Sequence, residues 1–192
     1  MAQVSSKGGR VEVYARTARF LHWLTVALLA VQLPVGLYMT YRGSTLNRWD
    51  ALTNTLYSGH KVAGLLILAV VLWRLGYRLS RGAPADEPTL AGWQRLVAHL
   101  NHWGLYLLLI AVPVAGYVGI ALFPALEVFG LVSLPGVVAP DPEAAKTAFR
   151  VHRYLAIALM ALIALHVGAA LFHHLVRQDG VLARMLPSLL RR

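Results

Sequence analysis

Eight histidines, His22, His60, His99, His102, His152, His166, His173 and His174, stand in a chain of 192 residues of which 58% are hydrophobic, 14% charged and none cysteine. Ionisable side chains are expensive in surroundings this apolar, and they face a bundle interior, a cavity or a ligand. The chemistry open to neutral imidazole is metal ligation, proton transfer or plain hydrogen bonding. Lack of cysteine excludes disulfides, thiolate zinc sites, cysteine-ligated iron–sulfur clusters and covalent c-type haem. Any cofactor must therefore be held by His, carboxylate, Met or backbone.

Spacing narrows the choice. His152 and His166 are fourteen positions apart, which on one helix is about 21 Å along the axis and a return to within roughly 40° of the same face. One helix thus offers two imidazoles at two depths. His22 stands near the start of the first apolar stretch and His60 near the start of the second, on the opposite side, so the partners match by level: His22 with His166 and His60 with His152. Two imidazoles per level can bind an iron from both faces of a planar macrocycle, the constellation for two bis-histidine haem b groups stacked across a membrane. Two histidines without a nearby carboxylate or thiolate are a poor zinc set. The plainer alternative is a hydrogen-bonded interior histidine at each position.

Other residues fit around these four. Arg74 lies fourteen positions after His60, hence on its face but at the inner level, where a haem propionate would need a cation; an ordinary basic residue at a helix end is the alternative. Gly64, and Gly168 with Ala169, can admit a flat ring or simply a neighbouring helix. Pro34 and Pro113 are expected to kink their helices. His99 and His102, an i, i+3 pair followed by Trp103 and Tyr106, can border a quinone site or face headgroups, and His102 rivals His166 for the inner iron. Lys61, Arg150 and Arg153 near the outer level would attract a small anion, against the partial offset of Asp141 and Glu143. His173 and His174 are expected at the membrane interface.

The elements that must position these residues are four apolar stretches, about 20–41, 56–79, 96–123 and 149–176, each long enough to cross the hydrocarbon core as a helix. The expected fold is an all-α, integral-membrane four-helix bundle with two haem groups in its core, forming a single domain over 1–192. Residues 1–15 are expected as a mobile cytoplasmic arm and 177–192 as a cytoplasmic tail. The semi-apolar piece 128–138 is too short to span and is expected on the end of the bundle.

Of 18 basic residues against 8 acidic ones, Lys7, Arg10, Arg16, Arg19, Arg74, Arg78, Arg81, Arg95, Arg177, Arg184, Arg191 and Arg192 fall on the side of the termini. Only Arg42, Arg48, Lys61, Lys146, Arg150 and Arg153 fall opposite. The positive-inside rule places both termini in the cytoplasm. The net charge of +10 is then explained by orientation and anionic lipid rather than by nucleic acid. Trp23, Trp49, Trp93 and Trp103 suit an interfacial belt.

With these residues in hand, the chain resembles the bacterial cytochrome b561 family of di-haem membrane cytochromes, akin to the cytochrome b subunit of nickel–iron hydrogenases. The matching pieces are Phe20-Leu21-His22-Trp23, Gly59-His60-Lys61-Val62-Ala63-Gly64, Arg74-Leu75-Gly76-Tyr77-Arg78-Leu79, Ala98-His99-Leu100-Asn101-His102, Val151-His152-Arg153, and the run from Ala164-Leu165-His166 through His173-His174 to Arg184-Met185-Leu186-Pro187. The resemblance implies haem ligation by His22, His60, His152 and His166, and quinone as the usual partner. It also implies a place in the bacterial inner membrane, some stand-alone members resembling superoxide:ubiquinone oxidoreductases. The expected activity is one-electron oxidation of a periplasmic donor, a small anion such as superoxide or a redox protein, with reduction of ubiquinone or another quinone. A membrane anchor for a dehydrogenase or hydrogenase is the second reading, and a haem-free histidine-lined channel or transporter the third.

Overall fold

The computed structural model describes residues 3–6 and 9–191, with side chains from 12 to 189. Lys7, Gly8 and Arg192, placed above in the arm and the basic rim, lie outside the described residues. Four helices, α1 (Arg16–Thr40), α2 (Ala51–Arg81), α3 (Gly92–Leu122) and α4 (Pro142–Phe172), are long and apolar enough to cross a membrane. α1 packs on α2 and α3 on α4, and the two hairpins join along α2 and α3. Two short antiparallel ribbons, β1 (Gln3–Ser6) with β2 (Gly9–Glu12) and β3 (Glu127–Val128) with β4 (Val132–Ser133), complete the fold.

Each helix begins earlier than the apolar stretches predict, and at α2 and α4 capping chemistry outside the apolar core sets the boundary. α2 starts at Ala51, where the Asp50 carboxylate accepts from the Thr53 amide at 2.9 Å. α4 starts at Pro142, whose missing N–H costs nothing at that position, and Asp141 accepts from the amides of Glu143 and Ala144 at 3.1 and 3.0 Å. Gly82, at φ 72°, ends α2 with its amide on the Arg78 carbonyl. Pro34 lies inside α1 and Pro113 inside α3, both helices continuing past them.

The buried core lies midway along the bundle, where Ile67 and Val71 of α2 meet Tyr106 and Leu109 of α3 and Leu159 of α4. Leu159 is seven residues from both His152 and His166, so α4 presents histidine, leucine and histidine at intervals of about two turns along one face. Outward positions are apolar and exposed, among them Phe20, Trp73, Leu107 and Leu165, as lipid contact requires. Trp23, Trp49, Trp93 and Trp103 are exposed too.

The terminal segments differ from the arm and tail expected of them. β1 and β2 pair in register from Gln3↔Glu12 to Ser6↔Gly9, and two short 3₁₀ turns, Leu182–Arg184 and Pro187–Arg191, fold back beside them. Arg184 is buried and joins three segments: its Nε donates to the Glu12 carbonyl at 3.0 Å, another guanidinium nitrogen donates to the Ala85 carbonyl, and its own carbonyl accepts from the Tyr14 amide at 3.1 Å. Backbone carbonyls disperse this charge without a carboxylate. At the opposite end the 128–138 piece forms the β3–β4 ribbon and its exit, seated on the start of α2 by the Phe129 amide donating to Ser58 Oγ at 3.0 Å.

Candidate functional site

Two facing pairs of imidazoles occupy the bundle interior at two levels. Toward the loop end, His60 of α2 faces His152 of α4 with ring centres 6.2 Å apart and planes at 86°. Toward the end carrying both termini, His22 of α1 faces His166 of α4, also at 6.2 Å, with planes at 71°. Because α4 is regular from Pro142 to Phe172, the fourteen residues between its two histidines hold the levels about 21 Å apart along the axis. The structure therefore brings together the pairs that level-matching expects.

The spacing within a pair suits one metal between two rings. Metal–imidazole bonds of about 2.0–2.1 Å, with about 1.1 Å from each ligating nitrogen to its ring centre, set the centres of two axial imidazoles roughly 6.3 Å apart. The ring atoms fit as well. His152 Nδ1 donates to the Val112 carbonyl at 2.8 Å, which selects the tautomer whose Nε2 lone pair is available to a metal. The Gln32 amide donates to the His60 backbone carbonyl at 3.0 Å, tying α1 to α2 at that level. His22 Nδ1 and His60 Nδ1 are buried with no partner among the described residues. Buried polar atoms are rarely left so unless the site has another use. No three His, Asp or Glu side chains converge as a metal site among the described residues. Opposed pairs are the arrangement to explain, and they fit haem iron.

His102 and His99 part company. His102 turns inward from α3 and packs on His166 with ring centres 5.4 Å apart and planes at 66°, closer than two axial ligands stand. His99, expected on the same face, is exposed and hydrogen bonds Asp86 of the α2–α3 connection at 3.1 Å. Arg74 stacks its guanidinium over the Tyr106 ring at 5.4 Å from the centroid and lies within electrostatic reach of His22, His102 and His166. No ion pair among the described residues uses it. A cavity of about 20 Å³ beside it is lined by Tyr14, Tyr77, Arg78 and Tyr106.

Several roles change in three dimensions. His173, expected at the interface, is buried: the chain leaves α4 in a π-turn, His173–Arg177, that aims its Nδ1 at the Asp179 carboxylate, 2.6 Å away. Arg177 shares that carboxylate at 3.2 Å and reaches Gln94 and the Thr89 carbonyl; His174 stays exposed. Lys61 is a fixed cation, its Nζ donating to the Ala125 and Glu127 carbonyls at 2.8 Å each. Arg150 and Arg153 are exposed on about the third and fourth turns of α4. Gly64 lies against Gln32 rather than a histidine ring, and Gly168 has open space beside it.

A membrane-spanning bundle holding opposed imidazole pairs in its core is the architecture of a b-type membrane cytochrome. A family model described as prokaryotic cytochrome b561 matches residues 13–188. The chain is 30% identical over 176 residues to cytochrome b561 homolog 2 of Escherichia coli (strain K12), covering 91% of this chain and 92% of that protein. It is 29% identical over 178 residues to homolog 1 of the same organism, covering 91% and 97%. It is also 29% identical over 173 residues to the probable superoxide oxidase CybB of Yersinia pestis, covering 88% and 92%. The chain belongs to the prokaryotic cytochrome b561 family: it is a multi-pass bacterial membrane protein of electron transfer, and the family implies haem b.

Proposed function

We propose that this chain carries two haem b groups and passes single electrons across the inner membrane, from superoxide at the periplasmic side to ubiquinone. The observation that carries the reading is the presence of two imidazole pairs, each 6.2 Å between ring centres, at two levels of one bundle. Haem held by His60 with His152 and by His22 with His166 would supply reversible one-electron exchange.

The chain supplies the rest. His60 and His152 hold the outer group and His22 and His166 the inner one, with both termini cytoplasmic as the basic residues favour. Leu159, Ile67, Val71 and Leu109 form a dry layer between the levels, so charge moves through a low-dielectric interior shielded from water. Arg74 is the cation for a propionate of the inner group. Lys61, Arg150 and Arg153 make the outer mouth electropositive, while Glu143 is engaged by Lys146 at 2.7 Å. A small anion is drawn there. The likeness to a relative named a probable superoxide oxidase supports superoxide as that anion.

The chemistry balances when two superoxide anions each lose one electron and leave as dioxygen, and one quinone takes both electrons and two protons. His102, beside His166, borders the quinone site in this reading. His99 sits at its exposed rim on Asp86 and relays protons.

The test is spectral first. Detergent-purified protein is expected to hold two low-spin haem b per chain by pyridine haemochrome. Alanine at His60 or His152 should remove the outer group, and alanine at His22 or His166 the inner one. Superoxide should reduce the protein rapidly, and added ubiquinone should reoxidise it. A colourless chain sinks the haem assignment; a two-haem chain inert to superoxide sinks the donor alone.

A further inference from the structure

The outer imidazoles are seated on glycine. A Cβ at Gly36 of α1 would lie 2.9 Å from His60 Cε1 and 3.4 Å from its Nδ1, and one at Gly116 of α3 would lie 2.9 Å from His152 Nδ1 and 3.0 Å from its Cε1. The arrangement repeats in both hairpins, the glycine on one helix receiving the ring from the other. Each ring is also tied nearby: Gln32, one turn before Gly36, holds the His60 carbonyl, and Val112, one turn before Gly116, holds His152 Nδ1. At the inner level no described glycine would bring a Cβ within 4 Å of His22 or His166.

An imidazole is rigid and has only two side-chain torsions, so a Cβ pressing on its Cε1–Nδ1 edge cannot be absorbed at a flexible tip. Gly104 differs, its nearest neighbour being the Leu162 Cδ1 methyl at 2.9 Å. Relief at Gly36 or Gly116 requires turning the ring, which swings Nε2 off the line joining the pair. We infer that Gly36 and Gly116 are positioning residues that set the ring planes of His60 and His152, and through them the outer redox centre alone. This rests on the haem reading above.

The experiment compares Gly36→Ala and Gly116→Ala with Gly76→Ala and Gly92→Ala, whose added methyls meet open space. All are made in the full chain, purified in detergent. Readouts are haem per chain, the ferric low-spin electron paramagnetic resonance signals and a redox titration resolved into two steps, with the outer component identified by its loss in His60→Ala. In Gly36→Ala and Gly116→Ala the outer signal and potential are expected to move, or haem content to fall by about half, with the inner component unchanged. The two control variants should match the parent. A two-haem parent whose outer signal and potential are untouched by both seat variants overturns the inference and leaves the haem reading standing.

A thermal-unfolding cycle tests the contact itself with or without bound haem. Alanine for glycine within a helix ordinarily raises stability, so Gly36→Ala should lower the unfolding temperature in the parent and stop doing so in a His60→Ala background. An undiminished penalty without the ring overturns the seat. Should Gly36→Ala not be recovered, the double variant must be recovered in its place, and its equal loss counts against the seat as well.

Discussion

The angle between facing imidazoles makes a prediction that depends on side-chain orientation alone. Planes at 86° and 71° let the two rings donate to different iron d orbitals, which then stay close in energy. If haem is held at both levels as proposed, both ferric centres are expected to give strongly anisotropic low-spin resonance signals with a large maximal g value. A well-resolved rhombic signal, the mark of parallel rings, would contradict the geometry. The competition at the inner level is also testable. His102→Leu should keep both haems and slow quinone-linked reoxidation, whereas His22→Leu should lose one haem. Haem loss in His102→Leu alone would reverse the assignment. Helical period made the sharing of a face by His152 and His166 legible, since it depends only on separation along one helix. It could not disclose that His102 packs on His166, that His173 turns to Asp179, or that Gly36 and Gly116 receive rings, because those contacts join positions on different helices or across an irregular turn.

At the scale of elements, the junction between α1 and α2 is a polar lock with its own pH response. Buried Arg42 donates to Asp50 at 2.6 Å and to Thr53 Oγ1 at 2.9 Å. The Thr53 amide first, and then Arg42, hold the Asp50 carboxyl below the usual carboxylate range. A carboxyl whose folded value is depressed contributes stability above its unfolded value, about 3.9, and loses that contribution as pH falls below it. Asp50→Asn keeps an N-cap and removes the charge. The variant should unfold at a lower temperature than the parent at pH 7, with the gap starting to narrow as pH falls through about 4 and narrowing further toward the depressed folded value. A gap that does not change with pH would mean that the carboxylate charge contributes nothing, leaving only the difference in hydrogen-bond geometry between the two side chains. Hydropathy locates the middle of every helix but not its ends, since it follows lipid-facing residues while polar residues such as Asp50 and Asp141 set where α2 and α4 begin. Asp141-Pro142-Glu143 is a legible start signal that apolar run length alone does not reveal. The pairing of β1 with β2 and the Arg184 staple were not legible, resting as they do on backbone carbonyls.

For the whole molecule, charge is distributed by end, and the ends should respond differently to salt. The overall bundle was readable from four apolar stretches because membrane length leaves few alternatives for backbone satisfaction. Two basic residues at the end carrying the termini are structural: Arg184 is spent on carbonyls and Arg177 on Asp179, Gln94 and Thr89. Arg150 and Arg153 at the loop end are exposed and make none of the hydrogen bonds or ion pairs that hold the fold among the described residues. They are the groups able to steer an anion without supporting the architecture. Arg150→Gln with Arg153→Gln should therefore leave haem content and unfolding temperature unchanged, yet lower the second-order rate of reduction by superoxide about three- to tenfold at low ionic strength. The difference should vanish near 1 M salt, where screening acts over about 3 Å. Lys61→Gln should slow the same step and also loosen the α3–α4 connection, because its ammonium holds the Ala125 and Glu127 carbonyls. A rate of reduction by superoxide that is the same in parent and double variant at every ionic strength would remove the loop end as the point of anion entry, and with it the main physical reason for choosing an anionic donor.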